Sequence, residues 1–480
     1  MTFTTLRRDA LAGLTTAFAL VPECIAFALV AHLNPLMGLY GAFFICTITA
    51  LFGGRPGMIS GAAGSMAVVI VALVVQHGAQ YLLATVVLGG LLMMVFGALR
   101  LGKLIRMVPH PVMLGFVNGL AIVIALAQLE HFKEGEHWLQ GTALWVMLGL
   151  VGLTMVVVWL LPRLTRAVPP ALVAILGVGV LAYALQLPTR TLGDMAHIAG
   201  GLPQWQLPQV PWTLETLRIV LPYAVLMASV GLLETLLTLN LTDEITETRG
   251  QPNRECVALG VANLTSGLFG GMGGCAMIGQ TMINLSSGGR GRLSGVVSGI
   301  MMLMFILFLS PWIERIPLAA LVGVMFVVAQ QTFAWGSLRV LGKIPQQDAL
   351  VVVAVTLITV FTDLATAVLC GVVIAALSFA WQHAHEIRGE FVDEGGQRRY
   401  RVHGTLFFAS TTQFQALFEP ASDPMSVVVD CTDLRVADHS GIAALEALLT
   451  RYRSQGRDLA LTNLSPRCDA LLNRAGVSAS

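Results

Sequence analysis

The feature that most constrains this chain is a succession of apolar segments that runs from about residue 10 to residue 382. Most of them approach the ~20 residues that a helix needs to cross ~30 Å of hydrocarbon. Only 11% of the 480 residues are charged, whereas a soluble domain carries about 25%. A polytopic α-helical membrane protein is therefore predicted. Fourteen segments are expected, at 10–30, 35–52, 59–76, 80–99, 112–129, 141–161, 168–186, 216–241, 255–270, 275–286, 292–310, 316–334, 347–361 and 363–382.

Basic residues are distributed unevenly between the two sides of the predicted membrane. With an even number of spans, the inner connections hold fourteen lysines and arginines, and the outer connections hold only Lys133, Arg190, Arg218 and Arg315. Because positively charged loops stay in the cytoplasm, both termini are predicted to be cytoplasmic, in a bacterial inner membrane. Pro22 and Glu23 interrupt the first apolar run and no cleavage site follows it, so we interpret this run as a membrane helix and not as a cleaved leader.

Several classes of function are disfavoured by composition and motifs. The net charge of +1 and the lack of a basic stripe argue against a nucleic-acid partner. The seven cysteines are scattered without a CxxC pair, which argues against a metal centre or a disulfide framework. No nucleophile elbow, Walker loop or HExxH motif is present, so we expect neither an enzyme nor a cofactor beyond a coupling ion.

A loop at about 187–214, rich in Pro, Gly and Gln, divides the membrane part (1–385) into halves of seven segments, about 1–186 and about 215–385. Because seven is odd, equivalent halves would lie in opposite orientations, with a binding site at their interface. The third segment of each half opens with a glycine-dense stretch, Ser60–Met66 and Gly270–Ala276. Such openings indicate half-helices preceded by extended chain; close helix packing through small residues is the alternative.

Two half-helices that meet at mid-membrane would form an anion site. Each N-terminus offers unsatisfied N–H groups and roughly +0.5 charge. Together they supply about one positive charge without any lysine or arginine. The predicted lining residues are Ala63, Gly64, Ser65, Cys275, Ala276 and Met277.

Two carboxylates lie inside apolar segments, Glu23 in the first and Glu234 in the eighth. Burial of such a group costs about 2.5–3.5 kcal/mol. Thr238 follows Glu234 by one helical turn, so the two could hold a proton or bind Na⁺ through their oxygens; an interhelical hydrogen bond is the alternative. At ~8 Å a carboxylate and an anion repel by about 2 kcal/mol. Neutralising Glu23 or Glu234 with H⁺ or Na⁺ would therefore raise anion affinity roughly 30-fold. Three further acids of the eighth segment are expected at its solvated inner end: Asp243, Glu244 and Glu247.

Charged residues become frequent after about residue 386, which predicts a small cytoplasmic α/β domain over 386–480. Apolar runs predict strands at 425–430 and 459–463, and helices are predicted at 441–454 and 466–475.

Taken together, the chain resembles the SulP sulfate-permease family, the bacterial relatives of the human solute-carrier anion exchangers. Pro35–Ala42 is similar to the family signature, although Met37 replaces its usual tyrosine. The stretch from Asn253 through Gly271 to Asn284 resembles the ninth-to-tenth-segment pattern of the family. The resemblance implies a seven-plus-seven inverted repeat of a core domain and a gate domain. It also implies a substrate site between the third and tenth segments.

The resemblance also implies roles for individual residues. Glu23 matches a first-segment glutamate implicated in proton coupling in some members. Glu234 and Thr238 match the aspartate and threonine that hold Na⁺ in bicarbonate-transporting members, but the acid here is glutamate, so H⁺ and Na⁺ both stay open. Gln280 stands where several members carry arginine, which favours helix dipoles alone at the site.

The C-terminal segment resembles a STAS domain, the fold of anti-sigma-factor antagonists. Asp438–Gly441 match the motif whose serine is phosphorylated in the antagonists, which makes Ser440 a candidate regulatory site. Ser440 also stands at the predicted start of a helix, so a role as the helix cap is the alternative. The resemblance implies a homodimer and a cytoplasmic regulatory partner that binds this domain.

These observations predict secondary-active transport of a small inorganic anion, sulfate or bicarbonate, coupled to H⁺ or Na⁺. A C4-dicarboxylate or nucleobase symporter of the same fold is an alternative. A membrane sensor or scaffold that acts through the STAS domain is a further one.

Overall fold

The structure is a computed structural model that describes residues 3–102, 109–134, 137–164, 169–195, 200–340, 343, 345–362, 364–384, 387–394 and 396–464. The chain divides into two compact units, Met1–Gly371 and Val372–Ser480. The helix predicted at 466–475 and the expected boundary residue 386 lie outside the described residues.

The prediction of fourteen membrane segments is confirmed by fourteen helices of nine or more residues in the described chain up to residue 384. Seven of the described helices are long and apolar enough to cross a membrane alone. Two short connecting helices, α8 (Leu192–Met195) and α14 (Trp335–Val340), accompany the fourteen. The helices are α1 (Phe3–Val30), α2 (Pro35–Phe52), α3 (Gly64–His77), α4 (Ala79–Ala98), α5 (His110–Ala127), α6 (Gly141–Leu164), α7 (Pro170–Ala184), α8 (Leu192–Met195), α9 (Leu214–Thr246), α10 (Pro252–Leu268), α11 (Ile278–Ser286), α12 (Arg292–Ile313), α13 (Leu318–Thr332), α14 (Trp335–Val340), α15 (Gln346–Phe361) and α16 (Leu364–Ala384).

The third and tenth segments are half-helices, each preceded by a short strand. Strand β1 (Ser60–Ala62) leads into α3, and strand β4 (Gly274–Ala276) leads into α11. Helix α11, which forms the tenth membrane segment, therefore begins at Ile278, three residues after the predicted start of that segment. The strands pair antiparallel, with Gly61 opposite Cys275. Small residues allow this approach, since a Cβ on Gly274 would lie only 2.0 Å from the backbone oxygen of Gly61.

The helices of the first unit form two groups that correspond to the core and gate domains of the inverted repeat. In the core, α10 packs against α4 and α2, α12 packs against α1 and α2, and α9 packs against α3 and α4. In the gate, α5 packs against α13 and α15, and α6 packs against α7 and α13. The core thus combines helices of both halves around the β1–β4 ribbon. A 3₁₀ helix (Gln128–Phe132) and a small hairpin of β2 (Lys133–Glu134) and β3 (His137–Trp138) follow α5.

One expectation for the inner end of α9 is wrong. Glu244 and Glu247 are exposed, as expected, but Asp243 forms an ion pair with the buried Arg55 (Nε to Oδ1, 3.1 Å). Arg55 also donates to the backbone oxygen of Thr242 at 3.0 Å. A buried guanidinium needs a counter-charge and several acceptors, and the end of α9 provides both. The pair ties the segment before β1 to the end of α9.

The second unit contains a four-stranded sheet in the order β5-β6-β7-β8. Strands β5 (Arg388–Glu394) and β6 (Gln397–Leu406) form an antiparallel hairpin, and β7 (Ser426–Val436) and β8 (Asp458–Thr462) extend the sheet in parallel. Helices α17 (Thr411–Ala416) and α18 (His439–Ser454) accompany it. The predictions of β7, α18 and β8 are confirmed, whereas β5, β6 and α17 were not predicted. The buried core includes Tyr400, Val402, Phe414, Val429, Leu445 and Tyr452.

The alternative interpretation, in which Ser440 caps α18, is wrong. The cap is Asp438, whose carboxylate accepts a hydrogen bond from the backbone N–H of Gly441 at 2.9 Å and from that of Phe408 at 2.8 Å. Ser440 is the second residue of the helix and is half-buried. Aspartate supplies two acceptor oxygens, so one side chain fixes both the helix start and the loop after β6.

Asp423 is the centre of a buried hydrogen-bond network in the second unit. Its fully buried carboxylate accepts from Arg398 at 2.9 Å and from the hydroxyls of Tyr400 and Tyr452. Burial and the bond to Asp423 raise the pKa of Tyr452.

Asp423→Asn is expected to lower the free energy of unfolding of this domain by about 1–3 kcal/mol. The amide N–H groups of the asparagine would face the donor groups of the three side chains that bond to Asp423. Hydrogen exchange of 396–464 in the full chain should speed up roughly 30-fold. Asp458→Asn, at an exposed position, is the control, and equal exchange in both variants would contradict the network's role.

Candidate anion-binding site

The N-termini of the two half-helices flank the β1–β4 ribbon. Their N-cap residues are Ala63 for α3 and Met277 for α11, both extended and without a side-chain cap. From the strand register these two residues are roughly 13 Å apart along the ribbon. An anion midway along the ribbon would therefore lie about 6–7 Å along it from either N-cap.

The first amides of each half-helix have no partner within their helix. Backbone bonding begins when Ala67 donates to Ala63 at 3.0 Å in α3, and when Thr281 donates to Met277 at 3.0 Å in α11. The three preceding N–H groups of each helix therefore point out of it, as helix geometry requires. No charged residue occurs in β1, α3, β4 or α11, apart from a histidine at the far end of α3. Positive potential at this place comes from the helix dipoles.

The structure brings together all six residues predicted to line the site. Gly64 and Ser65 open α3 after Ala63, and Cys275 and Ala276 belong to β4, directly before Met277. All six are buried. Because α11 begins at Ile278, its free amides belong to residues 278–280, and Cys275 and Ala276 contribute strand backbone and side chains.

Glu234 connects the two halves of this site. Its Oε2 accepts a hydrogen bond from the hydroxyl of Ser65 in α3 and from the thiol of Cys275 in β4, the latter at 3.1 Å. The Ser65 oxygen and the Cys275 sulfur are 3.8 Å apart. A single carboxylate thus bonds to the start of α3 and to the strand that leads into α11. A change of its charge would therefore act on the first turn of α3 and on β4.

Thr238 lies on the same face of α9 as Glu234 but bonds to the helix itself. Its hydroxyl donates to the backbone oxygen of Glu234 at 2.8 Å and is buried. The Thr238 hydroxyl oxygen donates in this bond, so its two lone pairs remain available to a cation, together with the Glu234 carboxylate. This is the oxygen chemistry that Na⁺ prefers.

Glu23 lies on α1, is half-buried, and has the side chain of Gln280 beside it. Gln280 is the third residue of α11 and is buried. The position that the resemblance associates with arginine therefore holds a neutral partner for Glu23.

Two residues that sequence reasoning gave no role hold β4 in place. The side chain of Asn263 accepts from the N–H of Gly274 at 2.9 Å and donates to its C=O at 3.0 Å. Thr235 accepts from the N–H of Ala276 at 3.0 Å. The sequence did contain a signal for Asn263. It is a polar side chain within an apolar stretch of α10, and a buried amide nearly always has a hydrogen-bond partner. Ser440 belongs to the second unit.

The fold and this geometry define a class: a polytopic membrane transporter built as a seven-plus-seven inverted repeat, with two half-helix N-termini at a candidate anion-binding site. Comparison with known proteins gives the family. The sequence profile of the sulfate permease family matches residues 6–356, and that of the STAS domain matches residues 392–480. The chain belongs to the sulfate permease family, whose members are transporters and not enzymes.

Relatives cover nearly the whole chain. It is 43% identical to the "Putative sulfate transporter YbaR" of Bacillus subtilis over 98% of this chain and 97% of that one. It is 32% identical to the "Bicarbonate transporter BicA" of Picosynechococcus over 78% of this chain and 70% of that one. The fold matches murine Slc26a9, described as an anion transporter in the inward-facing state, with a TM-score of 0.86 at 17% identity, over 99% of this chain and 88% of that one.

Proposed function

We propose that this chain is a secondary-active transporter that moves a small inorganic anion, sulfate or bicarbonate, with H⁺ or Na⁺ as the coupling ion. The observation that carries the proposal is Glu234, which bonds to Ser65 at the start of α3 and to Cys275 in β4. Backbone amides and helix dipoles bind an anion by charge and size. The carboxylate makes that binding depend on a cation.

The mechanism follows from the charges at the site. The two helix ends contribute about one positive charge, which an ionised Glu234 offsets. An anion is then repelled by about 2 kcal/mol at ~8 Å. A proton on Glu234, or Na⁺ held by Glu234 and Thr238, removes this repulsion, so cation and anion bind together and dissociate together.

The test is uptake by the purified full-length chain in liposomes, with sulfate, bicarbonate, chloride and fumarate offered under an imposed pH gradient and then a Na⁺ gradient. Uptake of sulfate or bicarbonate that rises with one of the two gradients is expected. Inhibition of that uptake by uracil would favour a nucleobase symporter, and preferred uptake of fumarate a dicarboxylate carrier. A chain that moves no anion under either gradient would support the sensor or scaffold alternative.

We further propose the cellular arrangement: a bacterial inner membrane, both termini in the cytoplasm, and a homodimer whose STAS domain binds a cytoplasmic regulatory protein. The membrane domain would cover residues 1–385 and the STAS domain residues 386–480. Ser440 is half-buried beside the Asp438 cap, and it is the proposed phosphorylation site. Nucleic acid and cofactors play no part in the proposed cycle.

A further inference from the structure

Glu23 and Glu234 occupy corresponding positions in the two halves of the repeat. Each belongs to the first helix of its half, α1 and α9. Each of these two helices packs against both half-helices, α3 and α11.

The contacts of the two carboxylates cross between the halves. Glu23, from the first half, lies beside the side chain of Gln280 in the first turn of α11, which belongs to the second half. Glu234, from the second half, bonds to Ser65 in the first turn of α3, which belongs to the first half. Each half-helix N-terminus therefore has one carboxylate beside it, supplied by the opposite half.

No basic side chain neutralises either carboxylate within the described part of the chain, where no ion pair involves Glu23 or Glu234. Helix α1 packs against α2, α3, α7, α11, α12 and α13, and α9 packs against α3, α4, α10, α11 and β4. The thiol of Cys275 bonds to Glu234, and the thiol of Cys24 is next to Glu23 in sequence. The other titratable groups on these elements are Arg7, Arg8, Asp9, Tyr40, Cys46, His77, Tyr81, Tyr183, Glu215, Arg218, Tyr223, Asp243, Glu244, Arg254, Glu255, Cys256 and Arg292.

We propose that Glu23 and Glu234 form one symmetric coupling device that takes two monovalent cations with each anion and so matches a divalent oxyanion of the sulfate class. The inference rests on the proposed transport function. The helix ends supply about one positive charge, and two ionised carboxylates outweigh it. One bound cation brings the total charge of the site near zero, and two bound cations make it positive. With two cations and a dianion bound, the site carries the same charge as the empty site, so the complete cycle moves no net charge.

The stoichiometry is measured as the sulfate gradient that the full-length chain sustains in liposomes. Tenfold gradients of H⁺ and of Na⁺ are imposed together, with the membrane potential held at zero. Two coupled cations predict about 100-fold accumulation of sulfate, and one predicts about 10-fold. An inside-negative potential of about 60 mV should leave a two-cation gradient unchanged and lower a one-cation gradient about tenfold.

Variants of the two carboxylates, with a matched control, test whether each carboxylate binds one of the two cations. Glu23→Gln and Glu234→Gln should each lower the accumulation to about 10-fold, and Glu244→Gln, an exposed acid on the same helix as Glu234, should keep about 100-fold. A wild-type chain that sustains only about 10-fold, or that moves bicarbonate and no sulfate, overturns the two-cation inference and leaves transport standing. A wild-type chain that moves no anion overturns the proposed function itself. The wild-type measurement decides the stoichiometry even if a variant fails to fold.

Discussion

Gly274→Ala is expected to lower anion uptake by about 100-fold or more. The added Cβ would lie 2.0 Å from the backbone oxygen of Gly61, and a main-chain atom cannot turn aside as a flexible side chain does. Relief requires β1 and β4 to separate by about 1 Å, and a displacement of that size at a binding centre costs about 100-fold. Initial rates of uptake in liposomes, at equal amounts of protein, measure the effect.

Gly149→Ala is the matched control for this substitution. Gly149 also lies in a membrane segment, α6, but a Cβ placed there meets nothing within 4 Å. Its uptake should equal that of the wild-type chain. If Gly274→Ala transports within threefold of Gly149→Ala, the ribbon tolerates separation, and the tight pairing of β1 with β4 is not needed for binding.

Glu234→Gln is expected to bind the anion about 30-fold more tightly than the wild-type chain in alkaline, Na⁺-free buffer. The substitution removes the repulsion of about 2 kcal/mol between carboxylate and anion, and the amide oxygen can still accept the bonds from Ser65 and Cys275. The gain in affinity on adding the coupling cation should shrink by the same factor. Calorimetric titration of a monovalent anion, bicarbonate, in the two buffers measures both effects; for the dianion sulfate the change in binding free energy should be about twice as large.

The control for this charge effect is Glu244→Gln, since Glu244 is exposed at the inner end of α9. Its affinity should follow the wild-type value in both buffers. If Glu234→Gln shows wild-type affinities with and without cation, no electrostatic coupling connects this carboxylate to the anion.

Much of the membrane architecture could be predicted because its signals are local. Hydropathy marks each segment, and a dense run of glycines marks the two places where a helix cannot start as usual. The six lining residues could be named for the same reason, since they border those runs. Their roles, and those of Glu23, Glu234 and Thr238, stay predictions until transport is measured.

The features that escaped prediction depend on partners distant in sequence. Asn263 gains its role only because Gly274 lies beside it, and Asp243 is paired because the fold brings Arg55 to the end of α9. In the second unit, β5 and β6 are rich in arginine and acids, so a hydrophobic pattern does not reveal them. The cap of α18 is Asp438 and not Ser440. One carboxylate oxygen of Asp438 accepts from Gly441 in the helix, and the other accepts from Phe408 in the loop after β6.

The β1–β4 ribbon has a mechanical consequence. It joins the two halves of the repeat by main-chain hydrogen bonds, with Ser60 opposite Ala276 and Ala62 opposite Gly274. Breaking those bonds inside hydrocarbon would leave backbone groups unsolvated at a cost of several kcal/mol each. The bound anion and the N-termini of α3 and α11 must therefore move together as one rigid body during the transport cycle. The surface along which the core moves has to be its boundary with the gate helices.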